Sequence, residues 1–371
     1  TITNSGTLLF NATDAKSVTG TIAEAAGGDT TEVQVINSAN GAPATVTFTG
    51  TIAADTLTVG TTSKAGAALF EEAVTVPTIN ITGANSGDEN STATFNKAVT
   101  ATAIVLDNSG IAGTAKVIFA ANNSVTITGT IDGASSDEGT IQVTGATKTF
   151  SGAIGTTQAL TLIDVDNAAI FNGSIEATTL SVAASNYALE LNGAANVITN
   201  AVTFSNTGAL TLGDANTDSS TFNAGITATA PSGVTLAGTI QTSGDTISIG
   251  DSNTPITLAA NTIIDGNTAG AITLAGAING GYSLTLNTTG TTTLSGIIGG
   301  STALTTLTTN ASGTTVISVD ITTSSTQTYN DAVTVNGTLD FTGSTVQFAS
   351  TLAGNDGTGD NLTISGALDL D

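Results

Sequence analysis

The side chains of this chain that could carry chemistry are its carboxylates. Asp214, Asn216 and Asp218 stand at intervals of two, in the DxNxD order that opens a calcium loop, although the Gly and the distal Glu that complete such a loop do not follow. Oxygen donors of this kind suit a hard cation that takes six to eight ligands. The stretch 354–362 (GNDGTGDNL), with Asp356 and Asp360, has the spacing of a single glycine-aspartate nonapeptide of the calcium-binding β-roll type. Calcium is the one cofactor these residues suggest, and the competing expectation at both places is a solvated Asp-Gly turn. Asp164 and Asp166, two apart in an apparent strand, would share a face as a glycosidase pair does. Sugar-cleaving clefts usually add aromatic and basic side chains, and this chain is poor in both.

Other catalytic plans lack their parts. The sequence has no His, no Cys and no Arg, and its five basic residues are all Lys. That removes Ser-His and Cys-His nucleophiles, zinc sites and arginine clamps. Glycine-rich nucleotide-binding patterns in a strand-to-helix context are also missing. The expectation is a protein that is not an enzyme.

Charge limits the partners. Twenty-nine acidic residues against five lysines give a net charge of -24, and from residue 149 onward there are sixteen acidic residues and no basic one. Nucleic acid and anionic membrane draw their affinity from Lys and Arg, so neither is an expected partner. No apolar run approaches the roughly 18 to 20 residues that cross a bilayer, and membrane insertion is not expected.

The elements that must position these residues are short strands. Period-2 alternation recurs at residues 45–49 (TVTFT), 78–82 (TINIT), 124–128 (SVTIT) and 283–286 (SLTL), with Gly, Asn and Asp between the runs. Charged residues are 9% and aromatics 4% of the chain, with no Trp. A folded chain of this kind has a thin core of Val, Ile, Leu and Ala. A five-residue pattern repeats: an apolar residue, two variable ones, a small one, then Ile, Val or Leu. It starts at Val18, Phe48, Phe70, Phe95, Ile127, Phe150 and Phe171, and recurs as far as Tyr329, Phe348 and Ile364. The average spacing, roughly 25 residues, is the size of one solenoid coil. A second strand often follows, as Leu57-Thr58-Val59 follows Phe48 and Ile79-Asn80-Ile81 follows Phe70.

Coils stacked about 4.8 Å apart would pair all their strands and align like residues, with Phe on Phe from coil to coil. The predicted fold is therefore all-β, a right-handed parallel β-helix (β-solenoid) of roughly 15 irregular coils, on the order of 70 Å long at that spacing. Residues 1–371 are expected to form a single β-solenoid, either whole or as a segment of a longer chain. Tandem immunoglobulin-like sandwiches, the alternative fold, should repeat near 100 residues and usually carry a buried Trp.

The stretch 271–370, in AITLAGAINGGYSLTLNTTGTTTLSGIIGG and STQTYNDAVTVNGTLDF, resembles the repeats of filamentous-haemagglutinin-type adhesins, autotransporter passengers and related bacterial β-strand-repeat surface proteins. The resemblance implies an architecture and a place, extracellular at a bacterial cell surface, more than an activity. Two functions fit it: a structural subunit that self-associates into a filament or surface layer, and an adhesin stalk that meets a glycan or a cell-surface receptor. Ice binding is a third, suggested by Thr-x-Thr steps such as Thr45-Val46-Thr47, and the unequal coil spacing argues against it.

Overall fold

The computed structural model describes residues 2–4, 6–24, 30–37, 43–84, 90–108, 113–355 and 359–370. Every regular element among them is a strand, and there is no helix. The strands pair in parallel with the strand one coil away, giving a β-solenoid of about 15 turns. Alternation in sequence becomes alternation in space: in Thr56–Val59, Leu57 and Val59 are buried while Thr56 and Thr58 are half-buried on the outer side. The chain divides into two compact units, Thr1–Ala183 and Ala184–Asp371.

Ladders of like residues line the interior of the first unit, three long ones among them. One stacks Phe48, Phe70, Phe95 and Phe119 in register, with successive ring centroids 5.1, 4.9 and 5.9 Å apart. A second runs Ile22, Ile52, Val74, Val99, Ile127, Phe150 and Phe171. The third runs Val33, Leu57, Ile79, Ile104 and Ile131, then on through Ile154 and Ile175. Each stacked aromatic pair contributes about 0.5–1.5 kcal/mol beyond the area it buries.

The five-residue pattern does not hold one coil position, and this corrects the register expected from sequence. Over Val18, Phe48, Phe70 and Phe95 its first residue sits in the Phe ladder and its fifth in the second ladder. At Ile127, Phe150 and Phe171 the first residue sits in the second ladder, because Ile127 pairs with Val99. The strand Ala115–Phe119, which the pattern does not match, has taken the Phe position in between. The pattern thus marks a corner between two strands, whichever corner it is. Its glycine explains why: a Cβ on Gly152 would lie 2.0 Å from the Gly129 carbonyl oxygen, and one on Gly173 would lie 2.3 Å from that of Gly152. At Gly152 and Gly173 the backbones meet too closely for any side chain, whereas Glu72 and Lys97 hold the same place after Phe70 and Phe95.

In the second unit one wall is a sheet of eight strands whose inward residues run Val202, Ile226, Ile247, Ile272, Thr292, Thr315, Val333 and Leu352. Another ladder runs Leu189, Leu210, Val234, Ile256, Ile278, Ile298, Ile321, Phe341 and Ile364. Tyr329 stacks on Phe348 at 5.1 Å and donates its hydroxyl to Gln327 Oε1 at 3.0 Å.

Candidate functional site

The loop 213–218 follows strand Ala209–Leu212 and turns at Gly213, whose φ is +78°. Asp218 is 6% exposed, while Asp214 and Asn216 are exposed at the rim. Asp218 Oδ2 accepts the backbone amides of Asp214 (2.9 Å) and Ala215 (2.8 Å). The Asp214 carboxyl is raised above the ordinary carboxylate range by desolvation, and next by the adjoining Asp218. The structure therefore brings Asp214 and Asp218 together and leaves Asn216 at the rim. Asp218 closes the loop as a side-chain turn, and a calcium ion would have to displace those two amides to use the same oxygen.

Asp360 bonds across one coil in the same way, accepting the Gly337 amide on Oδ1 at 2.7 Å. Asp356, its expected companion, lies outside the described residues. Asp164 and Asp166 are both half-buried, and Asp166 accepts Gln142 Nε2 at 2.7 Å. Among the described residues no group of three or more carboxylates is gathered closely enough to hold a metal ion.

Two buried charges were not singled out from the sequence. Lys148 has no exposed surface, and its ammonium donates to the carbonyls of Ala121 (2.8 Å), Thr144 (2.8 Å) and Ala146. Desolvation lowers its pKa to about 8. Asp331 is 1% exposed and accepts the Gly313 amide and the Thr315 hydroxyl, each at 2.9 Å. Burial pushes its carboxyl up, and these hydrogen bonds pull partly back. A signal for both was present: Lys148 stands two residues before Phe150 and Asp331 two after Tyr329, so period 2 puts each on the side of a stacked aromatic. Lys148 ties down a corner and Asp331 a turn.

The fold and these sites define a class, the β-solenoid, here with Asp218, Asp331, Asp360 and Lys148 committed to its own backbone. No known protein family, curated protein or solved structure matches this chain.

Proposed function

We propose that this chain is a non-enzymatic structural protein of the bacterial cell exterior, and that copies join end to end into a filament or layer. The observation that carries the reading is the stack itself: coil pairs with coil in parallel through both units, in ladders of like residues, so each coil offers the pairing surface that the next one uses. Strand Asn361–Leu370 pairs along one edge with Thr338–Phe348 and has no partner on its other edge among the described residues. Leu368 and Leu370, which continue interior ladders, are 52% and 65% exposed there. At the first described coil Gly6–Asn11 pairs with Thr31–Ile36, and Leu8 and Phe10, in line with the buried Val33 and Val35, are half-buried. A strand edge of this kind takes a further coil, from the same chain or from a second copy, and two different edges of two copies joining head to tail generate a filament that does not close.

Electron microscopy of the purified chain at rising concentration tests this. Filaments or ordered sheets are expected, and replacing Leu368 and Leu370 with Lys should abolish them while the circular dichroism of the subunit stays unchanged. A wild-type chain that remains monomeric at high concentration would sink the assembly. Glycan or receptor binding by such a monomer would make it an adhesin stalk instead.

A further inference from the structure

The outer face of the first unit carries a polar groove whose floor is fixed by strand register. Strands Thr56–Val59, Thr78–Thr82 and Val99–Asp107 lie side by side and place Thr58, Asn80 and Val105 in one outward row. Thr82 and Asp107 stand beside them in the next row. Two hollows of about 340 and 300 Å³ meet on this floor and share Thr58 and Asn80. One is walled by the turn Thr61 to Lys64, whose ends exchange backbone hydrogen bonds at 2.7 and 3.1 Å. The other is bounded by Thr7, Glu32 and Asp55.

The hydrogen-bonding inventory of the groove is lopsided. Glu32 accepts the hydroxyls of Thr58 and Thr7, each at 3.0 Å, so those two threonines have spent their protons and show lone pairs outward. Glu32, Asp55 and Asp107 accept only. The Asn80 side chain, at the centre, makes no hydrogen bond to the described residues, and its planar amide offers two donors and an acceptor. The ligand that fits must be rich in donors, must accept a few bonds and must carry no negative charge. A run of sugar hydroxyls meets all three conditions. An anionic polymer fails the first and third, and a bare divalent cation fails because three carboxylates do not converge.

We propose that this groove binds a saccharide without acidic groups, with Asn80 bridging neighbouring hydroxyls and Glu32 and Asp107 accepting from others. The inference does not rest on end-to-end joining, since the floor residues Thr58, Asn80 and Val105 lie on the lateral face of inner coils and only the rim at Gly6 and Thr7 reaches the first described coil.

Affinity electrophoresis of the whole chain through gels containing soluble neutral glucan, mannan or galactan tests it, with polygalacturonate as the acidic comparison. At least one neutral polymer should retard the protein and polygalacturonate should not. Asn80→Ala should weaken that retardation at least tenfold with unchanged melting, while Thr227→Ala, in the second unit, leaves it as in wild type. The proposal is overturned if no neutral polymer retards the chain, if polygalacturonate retards it equally, or if Asn80→Ala binds like wild type. Filament formation is read separately by microscopy, so failure of one reading is distinguishable from failure of the other.

Discussion

Lys148 poses a question of balance: burying an ammonium is costly, yet it is the donor to the Thr144 and Ala146 carbonyls, while the Ala121 carbonyl also accepts the Ala146 amide at 2.8 Å. Leaving buried acceptors without donors costs about 1–3 kcal/mol each when nothing relaxes. Lys148→Met, similar in length and uncharged, is therefore expected to destabilise the fold by about 2–4 kcal/mol at pH 7 in denaturant titration. The pH dependence has a definite sign. The folded pKa of about 8 lies below the ordinary lysine value, so between about pH 8 and 10.4 the unfolded chain holds more protons and stability rises with pH. That rise should be missing in Lys148→Met. Asp331 works in the opposite sense, because its folded pKa is raised. Its contribution is complete below the unfolded pKa of about 3.9 and is lost as pH rises through the folded value. Asp331→Asn should therefore melt higher than wild type at pH 7 and lose part of the acid-side gain. The exposed Asp340→Asn, which removes the same formal charge, separates this effect from general repulsion.

At the level of the strand, the ladders are where sequence and structure meet most closely. Alternation was visible in runs such as Thr56–Val59, and the second strands after Phe48, Phe70 and Phe95 do pair with one another. Phe stacking was legible because an aromatic recurring once per coil has nowhere to lie except on its neighbour. Coil position was not, since a corner glycine serves any corner and Phe119 ends a strand with no such corner after it. The calcium-like spacing at Asp214 and Asp218 was legible as a turn; that Asp218 faces its own backbone amides depends on burial, which spacing alone does not reveal. The ladder makes a sharp prediction. Phe95→Asp places a charge between Phe70 and Phe119 and should cost about 4 kcal/mol or more, whereas Thr100→Asp, exposed on the neighbouring strand, should stay within about 0.5 kcal/mol. Similar denaturation midpoints for the two variants would mean that the Phe ladder does not hold the coils together.

For the whole molecule, the net charge of -24 is the main obstacle to any lateral contact between copies. Among the described residues the one ion pair is Lys16 with Asp14 at 3.8 Å, both exposed, so little of that charge is neutralised internally. Screening should therefore control lateral order, and a divalent cation shared between carboxylates of neighbouring copies should do it at lower concentration than sodium chloride. Scattering from the assembled protein is expected to sharpen laterally with millimolar Ca²⁺ and to lose that order on adding chelator, with the axial repeat unaffected. Equal lateral order with and without the cation would place the contacts on uncharged faces instead.

The parallel pairing of the last described coil also sets how the molecule yields to force. Pulled outward from Leu370, strand Asn361–Leu370 is peeled from Thr338–Phe348 one hydrogen bond after another, rather than having the whole row sheared at once. Gly337 and Asp360 lie 23 residues apart, one coil of chain, which is at most about 80 Å when fully extended. In an optical trap the unit should pay out in low, nearly equal steps of about that length, each tooth one coil, and should rewind in the same increments when the load is relaxed. A single high-force rupture of the whole unit would mean that its coils fail together rather than in sequence.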